Sequence, residues 1–140
     1  MTLSGDVSIT KTESLPLRTE QDVVLARQVV RRLTQEISFG LVDQTKLVTA
    51  TSELARNAVI YGLGGTLICE LLVDGSRKGL RLQFIDHGPG IADVELAMKD
   101  GWTSGRGMGL GLSGSKRLVN DFHIATVPGQ GTTVTIARWK

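Results

Sequence analysis

Asp86-His87-Gly88-Pro89-Gly90 follows directly on the apolar run Leu80 to Ile85, and its reading decides how the rest of the chain is assembled. A strand that stops at a carboxylate and breaks into a Gly-Pro-Gly loop is built to face a ligand. Asp86 falls at the strand edge, where it can accept a hydrogen bond from a donor held in a pocket. Gly88 and Gly90 permit positive φ and a close backbone approach to that ligand. Taken alone, D-x-G-x-G is also the pattern of an ordinary turn, so its meaning depends on the stretches around it.

Upstream, Val7 to Thr12 alternates apolar and polar residues and is expected to form a first, edge strand, broken by Leu15-Pro16-Leu17. Thr19 with Asp22 resembles a capping box and starts a helix running to about Ile37. Val23, Ala26, Val30, Leu33 and Ile37 share one face of it, a core face or a dimer seam. Arg27, Arg31 and Arg32 fall on the other side, as a solvated face or a partner surface. Phe39-Gly40 ends this helix, and a second runs from about Asp43 to Tyr61, closed by Gly62. Thr66 to Val73 and Gly79 to Asp86 are strands joined at Asp74-Gly75. Downstream come a short helix at Asp93 to Asp100, a loop from Gly101 to Gly107, and a helix from Gly109 to Val119. A strand at His123 to Val127, a turn at Pro128 to Gly131 and a last strand at Thr132 to Trp139 complete the chain. The order predicts an α+β, two-layer sandwich: helices on one face of a mixed, mostly antiparallel sheet.

With 140 residues and no internal repeat or linker, the chain is expected to form one domain, 1–140. Hydrophobic content is 41% and charged content 21%, as in a globular protein, and glycines, 17 in all, are densest from Gly101 to Gly114. A net charge of +2, with no basic stripe interleaved with aromatics, argues against nucleic acid as a partner. Cys69 is the one cysteine and falls in an apolar run, so no disulfide framework exists within the chain. No apolar run approaches a bilayer span and no basic-then-apolar leader is present, so a cytoplasmic protein without a membrane partner is expected.

Two further stretches carry chemistry. Glu53 and Asn57, in Glu53-Leu54-Ala55-Arg56-Asn57, are four apart on a helix and point the same way. An amide oxygen can bind a hard cation, and a carboxylate beside it can order or deprotonate a hydroxyl; a solvated helix face has the same pattern. Gly105-Arg106-Gly107-Met108-Gly109-Leu110-Gly111-Leu112 leads into a helix, offering free backbone N–H groups and a positive dipole end to an anion. Gly109 to Gly114 also fits G-x-G-x-x-G. No strand precedes it, however, and the position about 20 residues beyond it is Val134 rather than an acid, so the dinucleotide reading fails. A phosphate loop fails too, because Lys116 comes one place late.

Together these stretches resemble the GHKL nucleotide-binding superfamily of gyrase-type ATPases, histidine kinase catalytic domains and anti-sigma kinases. Its E-x-x-x-N box is met by Glu53 and Asn57. Its D-x-G-x-G box is met by Asp86, Gly88 and Gly90, and its G-x-G-L-G-L box by Gly107, Gly109, Leu110, Gly111 and Leu112. A late Gly-Thr before a strand is met by Gly131 and Thr132. The resemblance covers about Thr19 to Trp139 and implies a Bergerat-type fold holding ATP between helices and sheet. It implies that Asp86 takes the adenine amino group with Thr132 assisting through water, and that Asn57 holds Mg²⁺. It implies further that Gly105, Arg106, Gly107, Met108, Gly109, Leu110 and Gly111 close over the phosphates as a lid.

Within the superfamily the chain is most similar to the small serine/threonine kinases of bacterial partner-switching systems, of the stressosome switch-kinase type. Asp100-Gly101-Trp102-Thr103-Ser104, Lys116-Arg117-Leu118 and Trp139 add to the boxes above. Arg106 and Ser113 depart from that type, which has a small residue and a proline there. Arg106 is either a clamp on the γ-phosphate or a change in lid mobility. The resemblance implies phosphoryl transfer from ATP to Ser or Thr of STAS-domain proteins, with Glu53 as the base. It also implies that the released kinase activates an effector such as a PP2C-type phosphatase. An anti-sigma factor kinase that sequesters a sigma factor shares all four boxes and is the alternative. A detached histidine kinase domain needs a helical phosphoacceptor histidine, which neither His87 nor His123 supplies. A module that keeps ATP only as a structural ligand is the last alternative.

Overall fold

The computed structural model describes residues 7–91, 93–99 and 111–140. The elements are β1 (Val7–Leu17), α1 (Glu20–Glu36), α2 (Leu41–Ile60), β2 (Gly65–Asp74), β3 (Arg77–Asp86), α3 (Val94–Ala97), α4 (Gly111–Lys116), β4 (Asp121–Val127) and β5 (Gly131–Trp139). The strands form one sheet in the order β1-β2-β3-β5-β4, and every neighbouring pair is antiparallel.

One sheet face carries the core. Cys69 of β2, Leu82 of β3 and Ile136 of β5 stand in register across three strands, with Leu67, Phe84 and Val134 as the next row. All six are buried together with the inner faces of α1 and α2. Burial pushes the Cys69 thiol up to about 12, so it packs as an apolar group. On the opposite face, Glu70 and Arg81 form a buried ion pair at 2.7 Å, and Gln83 donates to the same carboxylate oxygen at 2.9 Å. Extra hydrogen bonding of this kind offsets the cost of taking two charges out of water.

Helix α1 starts where the capping box places it. Thr19 Oγ1 accepts from the Asp22 N–H at 3.3 Å, and Asp22 Oδ2 accepts from the Thr19 N–H at 3.1 Å. Val23, Ala26, Val30, Leu33 and Ile37 are all buried in the core cluster, so their stripe is a core face. Arg32 lies outside it, paired with Glu13 of β1 at 2.7 Å and with Glu36 at 3.2 Å.

Several boundaries differ from expectation: α3 ends at Ala97 rather than Asp100, α4 ends at Lys116 rather than Val119, and β4 begins at Asp121 rather than His123. Strand β1 continues through Pro16 to Leu17, with Pro16 opposite Thr66. It is an edge strand, paired on one side alone, and there a residue lacking an N–H is accommodated. Near its start the register shifts between Ile9 and Lys11, a bulge that alternation alone does not reveal. Helix α2 begins at Leu41, two residues before Asp43, on a Gly40 cap that makes no side-chain hydrogen bond. Asp43 instead anchors the first turn to Arg138 of β5, at 2.6 and 3.0 Å.

Replacing Thr19 with Ala removes the side-chain acceptor of the cap and leaves the Asp22 N–H only its bond to the Thr19 carbonyl at 3.0 Å. Urea unfolding should show a loss of about 1 kcal/mol with an unchanged m-value.

Candidate functional site

Helix α2 lies between α1, the sheet and α4, and buries Leu47, Ala50, Thr51, Leu54, Ala55 and Ala58. Glu53 and Asn57 are one turn apart on the side left over. Glu53 is 9% exposed. Among the described residues, its Oε2 and the Asn57 Oδ1 are buried and have no hydrogen-bond partner. The Arg56 guanidinium stands 4.0 Å from the other Glu53 oxygen, Oε1. Buried polar atoms are nearly always satisfied. Two orphaned acceptors one turn apart are therefore open to groups beyond the described residues, and a hydroxyl proton and a hard cation have the chemistry that fits them.

The end of α2 leads straight to Asp86. The Tyr61 and Gly62 N–H groups both bond to the Asn57 carbonyl, at 2.9 and 3.0 Å, and the Gly64 N–H bonds to that of Ala58 at 2.8 Å. Leu63 and Gly64 take positive φ, 59° and 96°, to turn the chain into β2. Gly62 then lies directly against the Asp86 carboxyl group, where a Cβ would overlap the Asp86 Cγ.

Asp86 closes β3, opposite Gly65 of β2 and Thr132 of β5. Its Oδ1 accepts from the Gly88 N–H at 3.0 Å and the Thr132 N–H at 3.2 Å. Burial raises its pKa above the ordinary carboxylate value, and those two N–H groups pull against the rise. Gly88 passes so close to Gly62 that a Cβ would stand 2.7 Å from the Gly62 Cα. Gly90 has φ +77° and backs onto the β4–β5 turn.

Thus Glu53 and Asn57 share one lip of α2, while Asp86, Gly88, Gly90 and Thr132 gather at the ends of β3 and β5. Gly111 opens α4 with φ +64°, and Leu112 anchors that helix in the core. Gly105, Arg106, Gly107, Met108, Gly109 and Leu110, and the loop expected at Gly101 to Gly107, lie outside the described residues. His87 and His123 are exposed. Among the described residues no three His, Cys, Asp or Glu side chains cluster to hold a metal. The Asn57 amide oxygen is of the type that fits Mg²⁺ keeping waters and phosphate oxygens around it.

Sequence reading missed Gly62, Gly65 and Thr126. A Cβ on Gly65 would overlap the Ile85 carbonyl oxygen. Thr126 Oγ1 accepts from the Ile91 N–H at 2.9 Å and lies 3.0 Å from Thr132 Oγ1. The Gly62-Leu63-Gly64-Gly65 run was the available signal for the first two; nothing local marks Thr126.

Residues 42–140 match the family model for histidine kinase-, DNA gyrase B-, and HSP90-like ATPases. Over 123 residues the chain is 42% identical to the serine/threonine-protein kinase RsbT of Bacillus subtilis, covering 88% of this chain and 92% of that protein. Over 129 residues it is 25% identical to an anti-sigma F factor of Thermoanaerobacter sp. (strain X514), covering 88% of this chain and 89% of that one. The solved structure of the RsbU and RsbW domains of Rv1364c from Mycobacterium tuberculosis superposes with a TM-score of 0.64 at 23% identity. That likeness, in fold, covers 92% of this chain and 32% of the other, so this chain spans about a third of it.

The raised Asp86 pKa fixes the sign of a pH effect. Folding favours the acid form, so the stability Asp86 contributes is complete below its unfolded-state pKa and is lost as pH rises through the folded-state value. Asp86→Asn keeps an oxygen for the Gly88 and Thr132 N–H groups and cannot ionise. In urea titrations without nucleotide it should be more stable than the parent at neutral pH, with the gap closing on acidification. On the expectation that Asp86 accepts the adenine amino group, calorimetry should show adenine-nucleotide affinity lowered about tenfold to a hundredfold, because the amide would present donors to that group.

Proposed function

This chain belongs to the histidine kinase-, DNA gyrase B-, and HSP90-like ATPase family, and as an ATP-dependent serine/threonine kinase of the partner-switching class we propose that it phosphorylates Ser or Thr of STAS-domain proteins. The observation that carries the proposal is the pair of orphaned oxygens one turn apart on α2, on a helix whose end packs against Asp86. The 42% identity to a serine/threonine-protein kinase supports it.

Asp86 accepts the adenine amino group at the closed end of the pocket, and Thr132 assists through water. Asn57 Oδ1 is the atom that fits Mg²⁺, which when bound would offset the charge of the phosphates. Glu53 Oε2 takes the proton of the substrate hydroxyl as its oxygen attacks the γ-phosphorus and the bond to the bridging oxygen breaks, releasing ADP. Such a transfer needs positioning and charge stabilisation more than covalent chemistry. Gly105 to Gly111, with Arg106 and Met108, would supply lid N–H groups to the phosphoryl oxygens. Released from its substrates, the kinase activates a PP2C-type phosphatase or a similar effector in the cytoplasm. No helix among the described residues is long and apolar enough to cross a membrane. The 25% identity to an anti-sigma F factor supports a second reading, a kinase that sequesters a sigma factor.

Incubation with γ-labelled ATP and STAS-domain proteins tests the proposal: label should appear on Ser or Thr of one of them. Glu53→Gln should slow that transfer about a hundredfold to ten-thousandfold while still binding nucleotide. Transfer at the parental rate removes Glu53 as the base. Asn57→Ala should remain folded and lose the magnesium-dependent part of nucleotide affinity, measured with and without chelator. Capture of a sigma factor, with no phosphatase activated, selects the second reading.

A further inference from the structure

Resting on the ATP-site reading above, we infer that Thr126 of β4 is a positioning residue of the nucleotide pocket, its hydroxyl fixing both the glycine turn after Asp86 and the hydroxyl of Thr132. Thr126 stands opposite Thr132 in the β4–β5 ladder, beside the position where Thr132 stands opposite Asp86. The three side chains therefore run in a row across the helix-facing side of the sheet. Thr126 Oγ1 accepts the Ile91 N–H at 2.9 Å, from the segment that follows Gly88-Pro89-Gly90. It also lies 3.2 Å from the Gly131 carbonyl oxygen and 3.0 Å from Thr132 Oγ1. A second bond, from the Gly129 N–H to the Pro89 carbonyl at 2.7 Å, joins the same two turns. Gly90 is what permits their approach: a Cβ there would stand 2.8 Å from the Val127 oxygen and 3.1 Å from Thr126 Oγ1.

The hydroxyl has one proton and two acceptors in reach. Given to Gly131, the proton leaves Thr132 to donate to Thr126, and Thr132 then offers the pocket lone pairs only. Given to Thr132, it frees the Thr132 proton for the pocket. The adenine edge presents an amino donor beside a ring-nitrogen acceptor. Asp86 matches the first, and a donating Thr132, directly or through one water, matches the second. Thr126 thus holds the pocket's far wall in place and makes Thr132 a donor when adenine is bound.

Thr126→Val keeps the shape and removes the hydroxyl; Thr126→Ser keeps the hydroxyl. Without nucleotide, Ile91 amide exchange should be about tenfold faster in Thr126→Val and parental in Thr126→Ser. The KM for ATP should rise about fivefold to tenfold in Thr126→Val with kcat unchanged, and return in Thr126→Ser. Because Thr126 acts through Thr132, adding Thr132→Val to Thr126→Val should cost less than the sum of the single losses. Thr126→Ala replaces Thr126→Val if the latter does not fold. Parental KM in the hydroxyl-free variant, a Thr126→Ser as weak as Thr126→Val, or additive losses would overturn the inference while leaving the ATP site standing. A parent protein that binds no adenine nucleotide would overturn both.

Discussion

The carboxyl group of Asp86 is the constraint around which the molecule is arranged. It is half-buried, and burying a carboxylate is costly unless its oxygens are matched. One oxygen takes two backbone N–H groups, from Gly88 on its own chain segment and from Thr132 on a strand 46 residues away. Around this carboxyl group the backbone must also come closer than any side chain allows. Gly62, Gly65 and Gly131 are where it does so: a Cβ on each would overlap Asp86 or the Ile85 carbonyl oxygen beside it. The glycines follow from the packing of backbone against one acid.

The second requirement is a rigid support for Glu53 and Asn57. Helix α2 gains it by being covered on several sides rather than along one stripe. Its buried residues Ala50, Ala55 and Ala58 are small and let neighbouring elements approach closely, while Leu47 and Leu54 join the core cluster. Arg138 extends the support. It binds Asp43 in the first turn of α2 and, at 3.1 Å, the Leu118 carbonyl just beyond α4. The helix with the acid and the amide, and the segment following the glycine-rich loop, are thus held to the same strand.

Much of this was legible from local pattern. The α1 stripe, its Thr19 cap and the β2–β3 hairpin follow from periodicity and turn chemistry, which act over a few residues. So does the pairing of Glu53 with Asn57, fixed by helical geometry alone. Legibility failed where distant backbone decides. Pro16 looked like a strand break because its tolerance depends on β1 being an edge, a property of the whole sheet. Thr126 looked like any strand threonine, because Ile91 and Thr132 reach it only after β4 and β5 pair. Gly62 reads from the sequence only as the close of a helix, and its contact with Asp86 exists only once β3 is in place.

The orphaned oxygens of α2 are best understood against that rigidity. An unsatisfied buried acceptor costs about 1–3 kcal/mol, and among the described residues α2 carries two within one turn. A helix held only by one face could relieve the cost by rotating them toward water. Helix α2 cannot, because rotation would expose Leu47, Leu54 or Ala55, which are 0–2% exposed. The packing that makes the helix stable therefore also keeps its carboxylate and amide unmatched. On the proposed mechanism, the loss is recovered when a hydroxyl and a metal-bound triphosphate arrive. A site prepared in this way reorganises little at the moment of transfer, which is the condition under which fixed charges and dipoles act most strongly on a transition state.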